Sequence, residues 1–182
     1  MKIVGLDLST TRCGFASMSL EGELLAIGYH EPVGSICDKL VDIADWLSFV
    51  VASCEDDVVV GLEYPRGWSS SVLIALGRVN GLVHFVCRSN SLVKDLFELD
   101  PCRGKSALSE KGNANKDMQV ESFLAKYPNW IDKRRLIKPN PKLEGKITDD
   151  EADACGIALA VLQRRPAVYA SSTGKKEEAI VF

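Results

Sequence analysis

The stretch Lys2-Ile-Val-Gly-Leu-Asp-Leu8, running on into Ser9-Thr-Thr-Arg-Cys-Gly14, decides how this chain reads. Ile3 to Leu6 is an apolar run of the kind a strand shows when both its faces are covered, yet it closes on Asp7. A carboxylate there is costly unless a cation or hydrogen bonds compensate it. Two more segments repeat the pattern. Val58-Val-Val-Gly-Leu-Glu63 ends an apolar strand on an acid, and Thr148-Asp-Asp-Glu-Ala-Asp153-Ala opens an apolar helix with several. Asp150 and Asp153 lie three apart, so both can point from the same side of that helix. Carboxylates from separate elements can converge into an oxygen-rich cage for hard divalent cations, and a pair of such ions suits phosphodiester hydrolysis. The chain therefore reads as a metal-dependent nuclease with Asp7, Glu63, Asp150 and Asp153 as ligands.

Plainer roles compete with that reading. Asp7 alone could cap a turn, and Glu63 could sit at a strand exit. Thr148, Asp149 and Asp150 all suit a helix N-terminus. Asp153 lies further in, beside an apolar stripe of Ala152, Cys155, Leu159 and Leu162, where a cap does not explain it. Asp149, four before Asp153, rivals Asp150.

Working outward, residues 2 to 8, 13 to 20 and 24 to 29 read as a three-strand meander turning at Glu21-Gly22. Ile36, Leu40, Ile43, Leu47 and Val50 mark an amphipathic helix with Asp38, Lys39, Asp42 and Asp45 outside. Val58 to Leu62 is expected as a central strand. Val72, Leu76, Val79, Val83 and Val86 again have helical spacing, and Gly77 and Gly81 would let that helix lie close to a neighbour. A strand over 92 to 99 is expected to give way to a polar loop reaching Asn115. Helices from about Lys116 to Tyr127 and from about Asp149 to Gln163 follow, separated by a basic, proline-rich connection. The order describes an α/β layered domain over 1–165, with a loose tail over 166–182.

At 182 residues, with 46% hydrophobic content and a formal net charge of −3, the chain suits one domain with a substantial core. Mild acidity argues against a protein that coats nucleic acid, although an enzyme needs only a local basic face. The six cysteines form no C-x-x-C pair and fit buried thiols in a reducing compartment. Neither a signal peptide nor a membrane-spanning segment is expected.

The motifs together resemble the RuvC family of Holliday junction resolvases, within the RNase H-like superfamily, and its divergent, phage-type members in particular. Besides the acids, Leu73-Ile-Ala-Leu-Gly-Arg-Val-Asn-Gly81 is similar to the family's small-residue helix. Gly112-Asn-Ala-Asn-Lys116 resembles its Gly-x-Ala-x-Lys loop, and Asp150-Glu-Ala-Asp153-Ala its closing signature. The resemblance spans Lys2 to about Leu162. It implies an RNase H-like fold with a central mixed five-stranded sheet flanked by helices. It also implies a homodimer, Mg²⁺ or Mn²⁺ with two ions per site, and paired nicks in a four-way DNA junction. Lys105 and Lys116 match basic positions near the scissile phosphate. An aromatic follows the strand-borne glutamate in the family, for which Tyr64 and Trp68 are candidates, flanking Arg66. The usual Pro-Gly after the first aspartate is Leu8-Ser9 here.

Lys111 joins Arg103, Lys105 and Lys116 in one basic loop, and Lys133, Arg134, Arg135, Lys138, Lys142 and Lys146 crowd the connection before the last helix. Both segments are expected to grip phosphate backbones. His84 reads as structural. The implied setting is the cytoplasm of a bacterial or phage-infected cell, in recombination and repair. Two alternatives stay open. One is an RNase H-like nuclease acting on forks, flaps or structured RNA. The other is a phosphate-binding module, since Gly5-Leu-Asp-Leu-Ser-Thr-Thr-Arg-Cys-Gly14 also resembles the first phosphate loop of the actin and Hsp70 group.

Overall fold

The computed structural model describes residues 1–66, 69–135, 143 and 145–164. Five strands, β1 (Lys2–Leu8), β2 (Cys13–Met18), β3 (Leu24–His30), β4 (Val58–Glu63) and β5 (Val93–Leu99), form one sheet in the order β3-β2-β1-β4-β5. The meander β1-β2-β3 is antiparallel, whereas β4 and β5 lie parallel to β1. Parallel neighbours need crossovers, which are supplied by α1 (Ile36–Ala52) and α2 (Ser70–Ser89). Both pack one face of the sheet through Ile43, Trp46, Leu47, Val79 and Val83, against Val4, Leu6, Val58 and Val60. Each such buried side chain contributes roughly 1.5 to 3 kcal/mol.

The other face is covered chiefly by α5 (Asp149–Arg164), with α3 (Pro101–Ser109) and α4 (Lys116–Lys126) outside it. Residues 3 and 5 of β1 point to this face, and the paired glycines Gly5 and Gly61 allow the helix to lie on the backbone of the sheet. A Cβ at Gly5 would stand 2.1 Å from the Ala154 carbonyl oxygen, and one at Gly14 2.1 Å from that of Asp150. With side chains alternating along a strand, Asp7 and Glu63, two residues beyond those glycines, share the face of α5. They project at its N-terminal end.

The expected loop between Asp100 and Asn115 is instead mostly helix: α3 begins at Pro101. Asp100 accepts from the Cys102 N–H at 3.1 Å and Pro101 occupies the first turn, which is a helix start rather than only a strand end. Gly104 lets α3 meet α5, where a Cβ on Gly156 would lie 2.6 Å from the Gly104 carbonyl oxygen. All six cysteines are free; Cys13, Cys54, Cys87 and Cys155 are buried, but Cys37 and Cys102 are exposed.

The α2 helix departs from expectation in a second way. It is long and apolar enough to cross a membrane, although no such segment was expected. Its buried residues are Val79, Val83, Val86 and Cys87, while Val72, Leu73, Ile74 and Phe85 are exposed. Gly77 and Gly81 make no close approach to the sheet: a Cβ at either would meet nothing within 4 Å. They line the open side with Ile74 and Phe85.

Candidate active site

The start of α5 is fixed by a reciprocal cap. The Thr148 hydroxyl accepts from the Glu151 N–H at 3.1 Å, and Glu151 Oε2 accepts from the Thr148 N–H at 2.9 Å. Thr148 is thus the cap, which frees Asp149 and Asp150 from that duty. Glu151 is fully buried and forms a two-pronged pair with Arg134, Nε to Oε1 at 3.0 Å and Nη2 to Oε2 at 2.9 Å. Arg134, only 6% exposed, also lies over the rings of Tyr29 and Trp130. It is a structural residue and not the phosphate grip expected of it, and Arg135 Nη1 is turned onto the carbonyls of Asp132 and Arg134. Lys138 and Lys142 lie outside the described residues.

Asp7, Glu63, Asp150 and Asp153 converge as the spacing suggested. Burial, then repulsion from Asp153, Glu63, Asp150 and Asp149, holds the Asp7 carboxyl well above the usual carboxylate range. Burial and Asp153 push Glu63 up to about 7, against the opposing pull of Lys105. Asp153 is raised to about 6, chiefly by burial. Asp150 is raised as well, by burial and by Asp149. Asp149 goes the other way, because its hydrogen bond from Lys116 and the charge of Lys116 outweigh its burial. Four acids whose proton affinity is raised by burial and by neighbouring carboxylates, from three elements meeting at one helix end, form one electrostatic unit.

The donor set suits a hard cation. All four groups offer carboxylate oxygens, and Asp153 Oδ1 is buried without a hydrogen-bond partner, which is costly unless something positive faces it. Among the described residues, no three His, Cys, Asp or Glu side chains are already drawn into a closed ligand set. Asp149 and Asp150 are instead engaged by protein cations. Lys116 Nζ pairs with Asp149 Oδ2, and Arg12 Nη1 lies 3.0 Å from Asp150 Oδ2.

The basic residues are spread over more than one loop. Lys105 sits on α3 within the field of Glu63 and Asp153, Lys116 opens α4, and Lys111 is exposed between them. Tyr64 is 57% exposed just beyond β4, and the neighbouring Arg66 pairs with Asp100. Tyr64, Arg66, Asp7 and Glu63 line one cleft of about 220 Å³. Trp68 lies outside the described residues. A larger cavity of about 690 Å³, between α1 and the β2–β3 edge, includes His30 and Trp46 but none of these acids. His84 is on the surface, 3.1 Å from Glu98.

Sequence reasoning missed Arg12, whose partners Glu31 and Asp150 lie 19 and 138 residues away. The turn that carries Arg12 also bears on the phosphate-loop alternative. Ser9 Oγ accepts from the Thr11 and Arg12 N–H groups at 3.2 and 3.0 Å, so donors that a phosphate would need are spent inside the turn.

No protein-family model matches the chain. Among curated proteins it is similar to the crossover junction endodeoxyribonuclease RuvC of Anaeromyxobacter dehalogenans strain 2CP-C, 27% identical over 180 residues, covering 96% of this chain and 88% of that protein. RuvC of Anaeromyxobacter sp. strain Fw109-5 is 26% identical over 175 residues, covering 91% and 74%. Among solved structures, Thermus thermophilus RuvC in complex with a Holliday junction substrate superposes with a TM-score of 0.65 at 16% identity, covering 94% of this chain and 98% of that one. In sequence and in fold this chain is similar to the RuvC-like resolvases. The Fowlpox virus resolvase bound to Holliday junction DNA shares the fold at a TM-score of 0.54 and 17% identity, covering 90% and 97%. The RNase H-like architecture of RuvC is therefore the architecture of this chain.

Proposed function

We propose that this chain is a structure-specific endodeoxyribonuclease that resolves four-way DNA junctions by paired phosphodiester hydrolysis. The observation that carries the reading is the convergence of Asp7, Glu63, Asp150 and Asp153 at the start of α5, in a RuvC-like chain, with Lys105 and Lys116 beside them. Those four acids would hold the Mg²⁺ or Mn²⁺ ions, two per site. Bound there, such ions supply Lewis acidity and a more acidic water.

The protein's own groups divide the remaining tasks. Glu63 and Asp153, whose affinity for protons is raised, would have to be ionised to hold a cation, so binding there would release protons. Lys116, largely exposed and paired with Asp149, can turn to an incoming phosphate and offset charge that develops on it. Lys105 does the same from α3. Tyr64 offers a free ring beside the cleft for stacking on an unpaired base, while Arg66 and Lys111 contact the backbone.

A four-way junction has approximate two-fold symmetry, which a two-fold dimer matches. The open side of α2, with Ile74, Gly77, Gly81 and Phe85, supports a homodimer through that helix: apolar residues cover it and the glycines leave room for a second backbone. The site of action is the DNA of a bacterial or phage-infected cell.

Purified protein incubated with Mg²⁺ and matched four-way junction, fork, flap, duplex and RNA–DNA hybrid should cut the junction preferentially, with symmetric nicks in strands of like polarity. Equal cutting of linear duplex, or preference for the hybrid or fork, would move the assignment to a different RNase H-like nuclease.

A further inference from the structure

Arg12 stands at the acidic site but is turned inward. Its Nε and Nη2 both donate to Glu31 Oε1, at 3.3 and 3.1 Å, which fixes the plane of the guanidinium. Nη1 is then left 3.0 Å from Asp150 Oδ2 and 3.7 Å from Asp149 Oδ1. The backbone that carries it is equally constrained, by the Ser9 hydroxyl within the turn and by Lys39 Nζ, which donates to the Thr10 carbonyl at 2.8 Å. The Arg12 side chain is 28% exposed, and the fork is occupied on both sides by carboxylates. A residue built to reach phosphate would keep those donors outward.

The charge balance gives this arrangement its purpose. Asp7, Glu63, Asp149, Asp150 and Asp153 repel one another at one helix end, and Asp149 is shared between Lys116 and Arg12. Asp150 takes its positive partner from Arg12. We propose that Arg12, anchored by Glu31, is the internal counter-ion of the site: it holds Asp150 and Asp149 in place while no cation is bound, and it yields Asp150 when one enters. Arg12 is a positioning residue in this scheme, since it acts on substrate only through Asp150. The inference rests on reading the acidic cluster as the cation site.

Linkage makes the proposal measurable without DNA or cutting. If Arg12 and a cation serve the same carboxylate, removing Arg12 destabilises the cation-free protein more than the cation-bound one, and by reciprocity strengthens cation binding. Thermal unfolding of the full chain is followed in chelator and in Mg²⁺ for the wild type, Arg12→Gln and Arg12→Lys, with calorimetric titration of Mg²⁺ alongside. Arg12→Gln is expected to melt below wild type in chelator, and its rise in Tm on adding Mg²⁺ should be about twofold larger, with tighter binding in the titration. Arg12→Lys keeps the charge and should show the wild-type rise. An equal or smaller rise for Arg12→Gln overturns the proposal, because a merely structural cross-link would cost the same with and without the cation. Should Arg12→Gln be unfolded in chelator, recovery of its fold by Mg²⁺ supports the proposal and failure to recover overturns it. A wild type that neither binds Mg²⁺ nor is stabilised by it defeats the cation-site reading itself.

Discussion

The two faces of the sheet use glycine for opposite ends. On the α5 side, Gly5 and Gly14 bring helix backbone against strand backbone, with hypothetical Cβ contacts of 2.1 Å, and Gly61 makes room for the Val161 side chain at 2.4 Å. On the other side, Gly77 and Gly81 of α2 face open space, in a helix whose core contacts lie on its opposite flank. The first arrangement is a closed joint that sets where Asp150 and Asp153 stand relative to Asp7 and Glu63. The second leaves a surface unfilled. The same residue type, read in sequence, does not tell which it will be, because close approach is a property of two elements and only one is visible at a time.

The largest expected effect lies in the closed joint. Gly5→Val would drive a side chain into the Ala154 carbonyl and the Ala158 nitrogen, and should cost at least about 3 kcal/mol by urea unfolding. Near-wild-type stability would mean that α5 can lift from the sheet, and the comparison would break. Glu151→Ala tests the same region by charge. It leaves Arg134 buried without its partner, for a loss of roughly 3 to 5 kcal/mol, whereas a loss under about 1 kcal/mol would show that Arg134 finds water instead.

At the acids the sign changes. Asp7→Asn and Asp153→Asn should each abolish junction cutting while leaving binding, and both should raise Tm in chelator because a repelled, desolvated charge is removed. The pH dependence follows from the same cause. Glu63 is raised to about 7 and Asp153 to about 6 in the fold, so folded protein holds protons that the unfolded chain has already released. Their contribution is fully present below the unfolded carboxylate values near pH 4 and lost as pH rises through about 6 to 7. Metal-free stability should decline across that window and Mg²⁺ should flatten the decline. A metal-free stability that rises over the same window contradicts the assigned strain.

Smaller effects belong to the edges of the site and the open helix. Lys116→Ala should slow single-turnover cutting by roughly tenfold or more, with a lesser effect on junction binding, and Asp149→Asn should be much milder than Asp153→Asn. If Lys116→Ala changed binding alone, the residue would be a backbone contact. Gly81→Leu should leave the monomer fold within about 1 kcal/mol of wild type, since nothing occupies the space beside it, while weakening dimerisation in sedimentation and uncoupling second-strand cutting. Destabilisation comparable to Gly5→Val would erase the difference between the two faces.

The chain order of elements was legible from apolar runs and helical spacing, because each is a local pattern. The loop expected before Asn115 was not, since Asp100-Pro101 can serve as a strand exit or as a helix start, and the packing of Gly104 on Gly156 adds to the cap in favouring the latter. Arg134 and Arg135 show the same limit from the side of charge. A basic run in sequence was expected to grip phosphate, yet Glu151, seventeen residues on, draws Arg134 into the core.

By itself the sequence singled out the acids of the proposed site, because a carboxylate in an apolar run is anomalous wherever the run ends up. Tertiary structure decided their company. Register placed Asp7 beside Glu63, the glycine joint set the start of α5 against both, and the approach of the β1–β2 turn to β3 and α5 brought Arg12 to Asp150 across 138 residues. Electrostatic interactions depend on distance in space, which no spacing along the chain supplies.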